Sequence, residues 1–152
     1  MKRVEVAVIN LFVLLTLILF PSASAAGLEA HTAEDDHTPL ARHMEEINSN
    51  FRQLRALIQD PAAKSESLAA VETIAEHFKE ARKLEPAKLA DIPEAEKEKF
   101  LEGYRAGIDH ALSVVDELRE AIESDADLDR LRELVVRLND TKNENHEKFR
   151  KE

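Results

Sequence analysis

The sequence predicts an all-α protein that folds as an antiparallel up-down-up-down four-helix bundle. Only three glycines and five prolines interrupt its 152 residues, and aromatic side chains make up 5% of the chain. Between these breaks, apolar residues recur at steps of three and four, which is the period of a helix with one buried face. Four such stretches are joined mostly by short connections, and short connections favour antiparallel neighbours.

Residues 1–26 have the pattern of a cleaved signal peptide. Lys2 and Arg3 precede an almost continuous apolar run from Val6 to Phe20, and Ala23-Ser24-Ala25 has the small-x-small form of a cleavage site. The run holds about fifteen residues, fewer than the roughly twenty that span a bilayer, so an uncleaved anchor is the weaker alternative. We therefore predict export to the periplasm, no membrane segment after cleavage, and a flexible acidic leader over residues 27–38.

The predicted bundle domain covers residues 39–152 and begins with two amphipathic helices. Thr38 offers a hydroxyl cap and Pro39 takes the first helical position. Asp60-Pro61 ends helix 1, and helix 2 is predicted from about Ser65 to Lys83. The first helix carries a seam of apolar side chains at Leu40, Met44, Ile47, Phe51, Leu54 and Ile58.

Helix 3 is predicted to follow a connection from Leu84 to Pro93. Asp91-Ile92-Pro93-Glu94 has the D-x-x-E form of a capping box, and the helix should continue to about Glu123. Gly103 and Gly107 lie one turn apart beside its apolar stripe, and each costs about 1 kcal/mol relative to Ala. Their presence predicts a close approach to this face, for which ordinary tight helix packing is the alternative explanation.

Helix 4, predicted over Leu128 to Lys151, leads its apolar stripe past Lys142 to His146 and Phe149. In the predicted topology Met44 and His146 both lie about 7–8 Å from the same end of the bundle. Phe100 and Tyr104 enter that end from helix 3. A thioether and an imidazole are a known pair of axial ligands for haem iron. The alternatives are a methionine that fills the core and a histidine exposed near a helix end.

Composition and the absence of known motifs argue against several kinds of site and function. The chain has no cysteine, so neither a disulfide nor a thioether link to haem can form. Its formal net charge of −10 argues against sequence-independent binding to nucleic acid and would steer a basic partner. Residues 39–152 contain no H-E-x-x-H motif, phosphate-binding loop or pair of E-x-x-H motifs. The sequence therefore predicts that the protein is not an enzyme.

Four segments resemble those of one known family. They are His43 to Phe51, Pro86-Ala87-Lys88-Leu89, Phe100-Leu101-Glu102-Gly103-Tyr104 and Lys142 to Arg150. Their order and spacing resemble the cytochrome b562 family of soluble periplasmic haem proteins, over about Pro39 to Arg150. Lys142 stands where the family commonly has an arginine, and Tyr104 replaces a phenylalanine. The resemblance implies that Met44 and His146 ligate one non-covalent b-type haem, with Phe100, Tyr104 and Lys142 beside it.

The function that this resemblance implies is electron transfer. Two axial ligands fill the iron's coordination sphere, so no position is left for a substrate. The expected partner is an unidentified redox protein, and the expected state is a monomer or weak dimer. The alternative hypothesis is a haem-free periplasmic helical adaptor or stress protein that binds another protein through its charged faces.

Overall fold

The computed structural model describes residues 38–151 and shows four helices. The predicted signal peptide, and the predicted leader except for Thr38, lie outside the described residues. Each helix packs on the next one in the sequence, which confirms the predicted all-α four-helix bundle. The helices are α1 (Pro39–Leu57), α2 (Lys64–Ala81), α3 (Glu94–Glu123) and α4 (Leu128–Phe149), with 3-10 turns at Pro61–Ala63 and Ala87–Asp91.

Two helices begin at side-chain caps, and the first of these is the Thr38 cap that the sequence predicts. The Thr38 hydroxyl accepts a hydrogen bond from the Ala41 amide at 3.1 Å, with Pro39 at the first helical position. Asp127 accepts from the Arg130 amide at 2.8 Å. Each cap satisfies one amide that the helix itself cannot pair, an arrangement that contributes about 1 kcal/mol.

The start of α3 differs from the predicted capping box. Asp91 ends the 3-10 turn, and the extended Ile92 and Pro93 separate it from the helix. Glu94 is consequently the first helical residue instead of the third, so the reciprocal side-chain bonds of a capping box cannot form. The Asp91 carboxylate instead lies 3.4 Å from the Lys151 ammonium, which ties the connection to the end of α4.

The core of the bundle is tightly packed, with every helix contributing at least one inaccessible side chain. Leu54, Ile74, Leu118 and Leu134, one from each helix, have no exposed surface. Removing each such side chain from water stabilises the fold by about 1.5–3 kcal/mol. These residues fix which face of each helix points inward, and so they also determine which side chains meet at the bundle ends.

One pair of neighbouring helices is held less closely than the others. The backbones of α1 and α2, α2 and α3, and α3 and α4 approach along their lengths, whereas those of α1 and α4 make few close approaches. Side chains bridge this seam, with Arg132 donating to Gln59 and Lys142 donating to Asn48. The bundle is therefore most open between its first and last helices.

None of the four helices described in residues 38–151 has the length and hydropathy of a membrane-spanning segment.

Candidate functional site

A cavity of about 740 Å³ occupies one end of the seam between α1 and α4. The start of α1 and the end of α4 supply most of its wall, while α2, α3 and the connection between them close the other sides. The lining residues that matter for its chemistry are Met44, Asn48, Tyr104, Lys142, His146 and Phe149.

Met44 and His146 line this same cavity from opposite sides of the seam. Met44 is partly buried and packs against the hydrophobic core, and His146 lies in the last turn of α4. Burial lowers the pKa of His146 below its ordinary value of 6.5, and the charges of Lys142 and Arg150 lower it further. The ring is therefore neutral at neutral pH, and only neutral imidazole has a free lone pair with which to bind a metal.

Tyr104 forms part of the cavity wall on α3 and is fixed by a hydrogen bond. Its ring is buried, and its hydroxyl donates to the Ala81 carbonyl at 2.7 Å. Burial raises the pKa of the Tyr104 hydroxyl to about 12. Burying a neutral hydroxyl whose hydrogen is bonded costs little folding free energy. The hydrogen bond also joins α3 to the end of α2 beside the cavity.

Lys142 crosses the open seam instead of pointing into solvent. Its ammonium donates to the Asn48 side-chain oxygen at 2.9 Å and lies 5.7 Å from the centre of the Phe51 ring. This is within the range of a cation–π contact. Burial lowers the pKa of Lys142, and the nearby Arg52 and Arg55 add to that effect. Lys142 thus links α1 to α4 at the cavity wall.

Phe100 is the one predicted site residue that is not part of the cavity lining. Its ring packs edge-on against Phe149, with centres 5.4 Å apart, and Phe149 in turn packs against Tyr104 at 5.7 Å. Phe149 therefore stands between Phe100 and Tyr104 and lines the cavity itself. Tyr104, from the F-x-x-G-aromatic segment, lines the cavity, and so does Phe149, which the sequence did not single out as a site residue although the helix 4 stripe reaches it.

A side chain at Gly107 would have to displace Asn145, because α4 approaches α3 at this point. The Asn145 amide donates to the Gly107 carbonyl at 3.0 Å, and a Cβ atom at Gly107 would lie 2.9 Å from the Asn145 Cγ and nearer still to its oxygen. At Gly103 a Cβ would only contact the Phe149 ring, at 3.7 Å. The predicted close approach is thus real at Gly107, and Asn145, which precedes His146, also lines the cavity.

The charged side chains around the cavity are mostly basic, although the chain as a whole is acidic. Glu45 is the one carboxylate in the described lining. A cavity with this lining would attract a ligand that carries carboxylate groups. The basic side chains are Arg42, Arg52, Lys142, Arg150 and Lys151.

Comparison with known proteins identifies one family. A family model described as cytochrome b562 matches residues 39–150. Searches with this chain among curated proteins and among solved structures found no match. The matched region runs from the first residue of α1 to the residue after α4, and so it contains every helix and the complete cavity lining except Thr38 and Lys151.

Proposed function

Because the chain belongs to the cytochrome b562 family, we propose that it is a periplasmic electron carrier that holds one b-type haem non-covalently between Met44 and His146. The observation that carries this proposal is that a thioether from α1 and an imidazole from α4 line one cavity. These two donors are a known axial pair for haem iron, and no cysteine is present to attach the porphyrin covalently.

Three properties of the cavity fit this cofactor. Its volume of about 740 Å³ lies within the roughly 300–1,000 Å³ that is usual for small-molecule and cofactor sites. The rings of Tyr104 and Phe149 supply an apolar wall. The basic lining residues suit the two propionate carboxylates of iron protoporphyrin IX. The volume, the apolar wall and the basic charge of the cavity therefore all suit haem.

Bound haem would supply a one-electron Fe(III)/Fe(II) couple. His146 would hold the iron through a neutral ring nitrogen, a donor that binds both oxidation states. Met44 would offer a soft sulfur, which favours Fe(II) and so raises the reduction potential. Tyr104 and Phe149 would exclude water from the porphyrin faces, and Lys142 would keep α1 and α4 at a fixed separation through Asn48.

The partner, the location and the oligomeric state belong to the same proposal. A signal-like sequence at residues 1–26 supports export, and membership of a family that is usually periplasmic supports that location. We propose that the exported chain acts as a monomer or weak dimer and exchanges electrons with a redox protein. The haem-free adaptor is less well supported, because Val136 is the one exposed large hydrophobic residue among those described, and a docking groove needs several.

A hemin titration of the purified haem-free chain tests the proposal. We expect one equivalent of hemin to bind, with a Soret band typical of six-coordinate iron, and acidified organic solvent should then extract all of it. A matched titration of the Met44→Ala/His146→Ala double variant should give neither the band nor the stoichiometry. If the unaltered chain acquires no Soret band with excess hemin, the electron-carrier proposal is wrong and the adaptor hypothesis gains support.

A further inference from the structure

A second pair of metal-binding side chains lies outside the cavity lining, where α1 packs on α2. The Nδ1 atoms of His43 and His77 are 2.9 Å apart, and their ring centres are separated by 5.2 Å. Both rings are partly buried. The pairing results from the packing of the two helices, because the two histidines are far apart in the sequence.

The pair has two chemical states that matter for binding. With a proton on one Nδ1 atom, the rings form an ordinary hydrogen bond, because one nitrogen donates and the other accepts. When each ring carries its proton on Nε2, both Nδ1 atoms have a free lone pair, and the two atoms lie close together. Neutral imidazole nitrogen is the commonest metal ligand in proteins and suits zinc, copper and nickel.

The nitrogen separation would allow both rings to bind one metal ion. At a metal–nitrogen distance of about 2.0 Å, two ligands are about 2.8 Å apart at a right angle and about 3.3 Å apart at the tetrahedral angle. The observed 2.9 Å, which is the length of the hydrogen bond between the rings, brings both nitrogens within reach of one ion. Among the divalent metals that suit imidazole, Cu(II) binds nitrogen ligands most tightly. We propose that His43 and His77 form a binding site for Cu²⁺ that is separate from the haem cavity.

The surroundings of the pair suit a cation that keeps part of its water shell. Glu80 lies one turn beyond His77 on α2 and forms an ion pair with Lys83 at 2.6 Å. The pKa of Glu80 is lowered mainly by Lys83 and to a smaller extent by His43, which places negative charge near the histidine pair. In residues 38–151 no three His, Cys, Asp or Glu side chains are grouped to hold a metal. The protein therefore supplies two adjacent nitrogens, and water occupies the other positions.

Copper titration of the full-length chain, with one equivalent of hemin added so that His146 does not compete, tests the site. His31 and His37 are replaced by glutamine in every sample, since they could bind copper independently. We expect one Cu²⁺ per chain and an electron paramagnetic resonance spectrum with hyperfine splitting from two nitrogens. His43→Gln and His77→Gln should each weaken binding at least tenfold and remove one nitrogen from the spectrum.

His110→Gln is the matched control, because His110 is exposed on α3 and belongs to no histidine pair. Its copper affinity should stay within twofold of the unaltered chain. Copper should also raise the Tm of the unaltered chain, since a ligand that binds only the folded state stabilises it, and this measurement does not depend on the variants folding. The absence of a Tm increase, or an unchanged nitrogen splitting in a folded His43→Gln or His77→Gln protein, would overturn the proposal.

Discussion

The core of the bundle and the cavity end are built from the same four helices but are packed differently. In the core, Leu118 on α3 and Leu134 on α4 are completely inaccessible. At the cavity end, Met44 and Phe149 are only partly buried and line empty space within the protein. The seam is filled with leucine in the core, whereas at the cavity end it carries a thioether, an imidazole and a lysine, which are side chains suited to a ligand. Packing supports the fold in one region and leaves room for a ligand in the other.

The sign of the charge also differs between the cavity end and the chain as a whole. The chain has a formal net charge of −10, which alone would steer a basic partner. The described cavity lining nevertheless has five basic side chains and one acidic one. Net charge therefore describes the long-range field of the protein, whereas the chemistry of a bound ligand depends on the few residues in contact with it.

Truncating one side chain in each region should give the largest difference between them. Leu134→Ala should lower the free energy of unfolding of the haem-free chain by about 2–5 kcal/mol, because it leaves a cavity in a closed core. Met44→Ala should cost about 1 kcal/mol or less, because Met44 already borders space. Denaturant unfolding followed by circular dichroism measures both. Equal losses would show that the cavity end is ordinary core.

The second prediction concerns haem affinity. His146→Ala should weaken hemin binding at least about 100-fold, or about 2.7 kcal/mol, because loss of a direct ligand should cost no less than loss of a group that merely supports one. His110→Ala, which removes an exposed imidazole on α3, is the control and should bind hemin normally. Competition against a haem-binding protein of known affinity measures the difference. Similar affinities for the two variants would place the nitrogen ligand elsewhere.

The two glycines of α3 provide a smaller test of how α4 is positioned. Gly103→Ala should stabilise the haem-free chain by up to about 1 kcal/mol, since Ala favours the helix and its Cβ fits against Phe149. Gly107→Ala should be about 1 kcal/mol less favourable than that, because Asn145 must move and give up its hydrogen bond. Chemical denaturation compares the pair. The contact with Asn145 has no structural role if both variants are equally stable.

The smallest expected effect is a dependence of stability on pH. Burial, followed by Lys142 and Arg150, lowers the pKa of His146 in the folded chain, so the unfolded chain binds this proton more tightly. The resulting contribution to stability is complete above the ordinary pKa of 6.5 and is lost as the pH falls through the lowered value. In haem-free protein, the difference in unfolding free energy between the unaltered chain and His146→Gln should change with pH in that window. A difference that stays constant with pH would show that His146 is not desolvated.

Periodicity predicts the helices well because it reports directly which face of each helix is buried. The seam from Leu40 to Ile58 and the stripe ending at Phe149 gave the correct helices and brought Met44 and His146 to one cavity. Details that depend on the path of a connection were less predictable. The predicted capping box at Asp91 was wrong because that aspartate ends a 3-10 turn and two further residues separate it from the helix.

Contacts between helices were the least predictable features. Three such contacts depend on how one helix is rotated against another. They are the position of Phe149, rather than Phe100, at the cavity wall, the pairing of His43 with His77, and the hydrogen bond from Asn145 to Gly107. A sequence read one helix at a time carries little information about those rotations. The unusual cost of a glycine inside a helix was the one local signal, and it indicated the close approach at Gly107 without identifying Asn145.

The most direct test of the cavity end as a haem site is the reduction potential and visible spectrum of Met44→Ala, measured beside the unaltered protein. We expect this variant still to bind hemin through His146. Its potential should fall because the soft sulfur no longer favours Fe(II), and added imidazole should bind the vacated position. His43 is not expected to take that position, since its ring faces His77. A Met44→Ala protein with the same potential and the same spectrum as the unaltered chain would contradict the account.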